Sequence, residues 1–90
     1  MKINFSQTVM APNGEELDVN LGQISVMALN APEKEPLGLD ESIRRGSLAL
    51  KVKDGGEIEI KPEDAAMIRK NLPKAWAPFI VAQAAQMLDG

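Results

Sequence analysis

Apolar and polar residues alternate over the first ten positions. Ile3, Phe5, Gln7 and Val9 fall on one side, and Asn4, Ser6 and Thr8 on the other. That period of two predicts a half-buried strand over residues 2–10. Pro12-Asn13-Gly14 supplies residues suited to a turn, and Glu15–Val19 reads as a short return strand. From Leu21 the period changes. Leu21, Ile24, Met27 and Ala28 recur at helical spacing, with Asn20 placed to cap and Pro32 just beyond the end, which predicts a helix over 21–30. The stretch "APEKEPLGL" follows with prolines, a glycine and charges, and reads as a loop, the most mobile segment expected.

Residues 40–60 carry two patterns at once. Asp40 as a cap, Glu41 in a first turn, and Ile43, Ser47, Leu48 and Val52 as an inner stripe describe a helix. Yet Leu48, Leu50 and Val52 alternate with Ala49, Lys51 and Lys53, and Ile58 and Ile60 alternate with Glu57 and Glu59. Those two runs flank Asp54-Gly55-Gly56 and describe a hairpin. The pattern alone leaves both open.

Pro62 suits a first helical position, Glu63 and Asp64 complement the positive helix end, and Ala65, Ile68 and Leu72 with Ala75 or Trp76 make an inward stripe. Pro73 disfavours helical geometry at Leu72, so a break or sharp bend is expected there. A last helix is predicted from near Pro78 to about Leu88. On its wheel Phe79, Ile80, Ala84, Met87 and Leu88 share one face. The other holds Ala77, Val81, Ala82 and Ala85, relieved only by Gln83 and Gln86. A surface helix normally shows charge on its outer half. Either this helix is covered on both sides by its own domain, or its alanine face docks a second copy or another protein. Trp76, between Pro73 and Pro78, reads as a core-edge anchor or as an interface hot spot.

Composition narrows the chemistry. Ninety residues, 44% apolar and 26% charged, make one small globular domain spanning 1–90. The net charge of −3 does not favour phosphate backbones. Histidine, cysteine and tyrosine are all absent, which removes the usual general base, the thiolate nucleophile and the commonest metal ligands. The acidic pairs Glu15-Glu16, Asp40-Glu41 and Glu63-Asp64 are adjacent in the chain, so their side chains diverge, and two of them fit helix starts. No glycine-rich phosphate loop or calcium loop is present. No catalytic, cofactor-binding or metal-ligating residue is assigned, and no small-molecule substrate is inferred. The N-terminal segment lacks the apolar core of a secretory signal. The uncharged run Ala75–Leu88 is shorter than the roughly 20 apolar residues of a membrane helix. A cytoplasmic, soluble protein is expected.

Seven of the ten basic residues form two groups: Arg44, Arg45, Lys51 and Lys53, and then Arg69, Lys70 and Lys74. A helix–turn–helix over 62–88 would present a second helix without Arg, Lys, Asn or Ser to read base edges. The first group is therefore the lesser candidate, a nucleic-acid patch, and the second forms the rim of a protein contact.

Five stretches, "MKINF", "NLGQISVMAL", "RRGSLALKV", "EIEIKPEDAAMI" and "PFIVAQAAQML", together resemble small proteins of unassigned function encoded by tailed bacteriophages and prophages. The resemblance covers nearly the whole chain and carries no catalytic motif. It implies helix for 41–52, strand for 57–60 and a bacterial host cytosol, and it brings no site residues. Lys61 stands where such a helix start is expected to have Ser or Thr.

The expected fold is α+β: a small antiparallel two- or three-stranded sheet, drawn from 2–10, 15–19 and 57–60, packed against three to four helices. The expected core is Ile3, Phe5, Val9, Leu21, Ile24, Ala28, Leu48, Val52, Ile58, Ile60, Ile68, Leu72, Trp76, Phe79, Ile80, Ala84 and Leu88. The expected function is non-enzymatic, by self-association or by binding a host or phage protein. Its surface would be Trp76, Val81, Ala82, Ala85 and Gln86, with Arg69, Lys70 and Lys74 at the rim. A nucleic-acid-associated accessory protein using Arg44, Arg45, Lys51 and Lys53 is the alternative, and a virion or tail-assembly component the third reading.

Overall fold

Residues 2–10 form two short strands and not one, because the chain turns at Phe5 and Ser6. The computed structural model describes residues 1–89. In order they form β1 (Lys2–Asn4), β2 (Thr8–Met10), β3 (Glu16–Asn20), α1 (Leu21–Leu29), α2 (Leu39–Val52), β4 (Glu57–Glu59), α3 (Pro62–Ala75) and α4 (Pro78–Met87). Asn4 makes the turn: its side-chain oxygen accepts from the Ser6 amide at 2.9 Å, and its carbonyl accepts from the Gln7 side chain at 2.8 Å. Polar side chains of this kind compete with a strand ladder for backbone groups.

Breaking the strand gives each half its own partner. β2 pairs with β3 across the expected turn, where Gly14 takes φ +88°. β1 pairs with β4, placing Ile3 opposite Ile58 and Lys2 opposite Glu59. The fold is α+β, with two antiparallel two-stranded sheets and four helices.

The segment between β1 and β2 is stitched to the start of α1. Helix N-termini leave amides without intrahelical partners. Here Leu21 donates to the Gln7 carbonyl at 2.7 Å and Gly22 to the Phe5 carbonyl at 2.8 Å. Asn20 and Gln23 close a reciprocal capping box, each side chain accepting from the other's amide at 2.9 Å.

The helical reading of 41–52 holds, with the start two residues earlier. Gly38 is the capping residue and Asp40 lies in the first turn with Glu41. Asp54-Gly55-Gly56 then reverses the chain into β4, with Gly55 at φ +75° and Gly56 at φ +83°. The Gly56 amide donates to the Ser6 hydroxyl at 2.7 Å, and the Phe5 amide to the Gly56 carbonyl at 2.8 Å. The inner stripe of α2 differs from expectation. Arg45, Leu48, Ala49 and Val52 face inward, while Ile43 and Ser47 face solvent.

The break expected at Leu72 falls one turn later. α3 runs through Pro73 and ends at Trp76, whose extended backbone stops it. Pro73 sits in the last turn on an exposed face, so the absent amide removes one bond and the ring meets little resistance. Trp76 closes that turn by donating to the Leu72 carbonyl at 3.0 Å, and its indole N–H donates to the Ile24 carbonyl at 3.1 Å.

The core collects around α1, which packs against both α2 and α3, while α4 packs against α3 and β2. Phe5, Val9, Leu21, Ile24, Val52, Ile68, Leu72, Ala84 and Leu88 are sealed from solvent. Ile58 and Trp76 are half-buried at its edge. Phe79 departs from the expected core and is 47% exposed. The inward line of α4 is Ile80, Ala84 and Leu88, at four-residue spacing. Phe79, one position before Ile80, is carried off that line by the helical rotation.

Candidate interaction surfaces

The largest aliphatic exposure lies along the outside of α2. Leu39 is 75% exposed, Ile43 56% and Leu50 67%. With Gly46 they step along the helix by four, three and four residues, which is the spacing of one straight helical seam. Large aliphatic groups scattered singly on a surface need no explanation, but these three share one helix face. The sequence pattern does not single out this line, because it places Ile43 in the inner stripe. The signal available is the regular spacing of Leu39, Ile43 and Leu50.

What turns α2 this way round is an ion cluster on its other side. The Arg45 side chain, 9% exposed, donates from Nη1 to Glu33 at 2.8 Å and from Nε to Glu41 at 3.1 Å. Lys74, at the end of α3, pairs with the same Glu33 oxygen. The Lys74 and Arg45 hydrogen bonds hold the Glu33 carboxyl below its ordinary range, and Glu33 in turn raises the Arg45 guanidinium further. Glu33 belongs to the loop expected to be the most mobile, and this cluster ties that loop to α2 and α3.

The cluster also removes one of the four residues read as a nucleic-acid patch. Arg45 is committed to Glu33 and Glu41, and Lys53 pairs with Asp54 at 3.1 Å. Arg44 and Lys51 are exposed and meet Lys61 in a cleft of about 470 Å³ between α2 and the start of α3. Glu63 and Asp64 line the same cleft.

The α4 candidates separate into two groups. Trp76, Val81 and Ala85 are half-buried and pack against the domain's own core. Ala82 and Gln86 are exposed, next to the exposed Phe79. Gln83, read as polar relief, instead covers the edge of β2. Its side-chain amide accepts from the Met10 amide and donates to the Met10 carbonyl, both at 2.9 Å. Of the rim charges, Arg69 pairs with Asp89, Lys74 with Glu33, and Lys70 is exposed.

Among the described residues no group of three or more acidic, histidine or cysteine side chains gathers as a metal site would need. None of their helices is long and apolar enough to cross a membrane. No family model matches the chain, and neither a curated protein nor a solved structure matches it.

Proposed function

We propose that the protein acts by protein–protein interaction, without catalysis, through the outer stripe of α2. The exposed line Leu39, Ile43 and Leu50 carries this reading. Burial of apolar surface is the main source of affinity in association, and the three most exposed large apolar side chains among the described residues lie in this line. The α4 face, reduced to Phe79, Ala82 and Gln86, is a separate surface and not the main contact. A phage or prophage origin enters the proposal through the residue pattern alone.

The test is photo-crosslinking in the lysate of the cell that carries the gene. A photoreactive residue at Ile43 should give discrete adducts, and the same residue at Ala66, on the exposed side of α3, should give none. Equal yields from the two positions would remove the reading.

Nucleic-acid association keeps one observation in its favour, the meeting of Arg44, Lys51 and Lys61 at a single cleft. Binding to duplex or single-stranded DNA that weakens steeply with salt, and is lost in Arg44→Glu, would put it ahead. The acidic lining of that cleft by Glu63 and Asp64 favours the protein contact instead.

A further inference from the structure

Asn13-Gly14 has no part in the α2 surface or in the core. Of the five asparagines, Asn4, Asn20, Asn30 and Asn71 precede Phe5, Leu21, Ala31 and Leu72, and Asn13 alone precedes glycine. The backbone nitrogen after an asparagine can attack that side chain, and glycine has no Cβ to block the approach. The fold withholds the other four nitrogens. Phe5 donates to the Gly56 carbonyl at 2.8 Å, Leu21 to Gln7 at 2.7 Å and Ala31 to Ala28 at 3.3 Å. Leu72 lies within α3, where Asn71 is buried. Asn13 and Gly14 are both exposed in the turn between β2 and β3, and a side chain built at Gly14 meets nothing within 4 Å.

The same turn favours an asparagine deamidation at one atom and opposes it at another. The Asn13 Oδ1 accepts from the Glu15 amide at 3.0 Å. In the reaction the Gly14 nitrogen gives its proton to solvent and bonds to Asn13 Cγ, and the C=O electron pair moves onto Oδ1. The Glu15 N–H thus already points at the atom where negative charge develops. The Cγ–Nδ2 bond then breaks, the nitrogen takes a proton from solvent and leaves as ammonia, and a succinimide ring remains. Water opens that ring at either carbonyl carbon. Opening at Cγ gives aspartate, and opening at the backbone carbonyl gives isoaspartate, with the chain now running through Cβ. One contact opposes the attack, since the Gly14 amide donates to the Ala11 carbonyl at 2.9 Å. A single exposed hydrogen bond of that kind slows a step by about tenfold at most.

We propose that Asn13 is a self-modification site of the folded chain, converting without an enzyme to aspartate and isoaspartate. The two products act differently on the fold. Aspartate keeps a side-chain oxygen for the Glu15 amide, so the turn survives with one more negative charge. Isoaspartate lengthens the backbone between Ala11 and Glu15, whose bond at 2.8 Å closes the turn and sets β2 against β3. β2 is also the strand that Gln83 of α4 clasps at Met10. The isoaspartyl form therefore loosens the hairpin and that clasp. This modification is independent of the role of α2 as an interaction surface.

Incubation of the full chain in warm neutral buffer, followed by peptide mapping with electron-transfer fragmentation, tests it, with the urea-unfolded chain as reference. The product should be heavier by the difference between a hydroxyl and an amino group, with the change at Asn13 and both isomers present. Its rate should rise with pH, because the attacking nitrogen must lose a proton, and should lie within about tenfold of the unfolded chain's. Asn13→Ser should stay unmodified. In urea unfolding, Asn13→Asp should match the parent, while the isolated isoaspartyl form should unfold at lower urea. A folded chain that lags the unfolded one by far more than about tenfold would mean that the turn protects Asn13. Conversion at another asparagine while Asn13 stays intact would mean the same. Either result overturns the proposal. An isoaspartyl form with the same urea midpoint as Asn13→Asp would overturn the loosening of the hairpin.

Discussion

Gly22→Ala should destabilise the domain, although alanine is the better helix former. Gly22 lies in the first turn of α1, where that helix meets the end of α2. A Cβ at this position would stand 2.5 Å from the Val52 carbonyl oxygen, 3.2 Å from the Asn20 side-chain oxygen and 3.4 Å from the Gly55 amide. None of these is the free end of a flexible chain. The Val52 carbonyl accepts from Gly55 at 3.1 Å, and the Asn20 oxygen holds the capping box. To relieve the contact, α2 must withdraw by roughly half an ångström along the line where Leu48 and Val52 pack. Overpacking of this kind costs about 1–3 kcal/mol, against a propensity gain of at most about 1 kcal/mol. The net loss is about 1–2 kcal/mol, which lowers the melting temperature by roughly 4–16 °C in a domain of this size. Urea unfolding followed by far-ultraviolet circular dichroism and Trp76 fluorescence measures it. An unchanged m-value would show that the native state, and not the denatured one, is affected. A Gly22→Ala protein as stable as the parent, or more so, would refute the close approach of α1 to α2 on which the orientation of α2 depends.

Two further outcomes follow from single polar groups. Glu33 is held below its ordinary value of 4.5 by Lys74 and Arg45. As pH falls below about 4.5 the unfolded chain binds the proton first, so stability declines through that window until Glu33 is protonated in the folded state as well. Glu33→Gln should flatten that part of the curve of urea midpoint against pH, and superimposable slopes for the two proteins would contradict the cluster. Ser25 is fully buried and its hydroxyl has no partner. Ser25→Ala should therefore leave stability unchanged or raise it by up to about 1 kcal/mol, and a loss of more than about 1 kcal/mol in chemical unfolding would mean that the hydroxyl is hydrogen-bonded.

The order of elements was legible along most of the chain because the local signals agree there. Asn20 and Gln23 announce the start of α1, Pro62 with Glu63 and Asp64 the start of α3, and Gly14 and the Gly55-Gly56 pair the turns. At α1 and at the turns the residue that marks the boundary also makes the hydrogen bond or takes the dihedral angle that creates it, while at α3 Pro62 opens the helix with no side-chain cap. Two departures come from local preferences that the fold overrides. Pro73 does disfavour the helix at Leu72, yet one remaining turn on an exposed face tolerates it, and Trp76 supplies the stop by docking on Ile24. Phe79 is the largest apolar residue of α4, yet the line Ile80, Ala84 and Leu88 meets the core, so rotation decided against size.

The candidate site shows the same limit more sharply. α2 offers two possible inward faces, one of Leu39, Ile43 and Leu50 and the other of Arg45, Leu48, Ala49 and Val52. The pattern along the chain mixes the two, placing Ile43 of the first with Leu48 and Val52 of the second. The folded domain buries the second, because Glu33, in the loop that leads into α2, neutralises Arg45 together with Lys74 at the end of α3, and because Gly22 lets α1 approach that side closely. Periodicity records that a helix has faces. It does not record which face meets a partner within the domain, since that depends on charges and shapes supplied by residues far away in sequence. The helices, turns and inventory of chemistry were thus written into the residues, while the exposed aliphatic line was created by how α2 was rolled against α1.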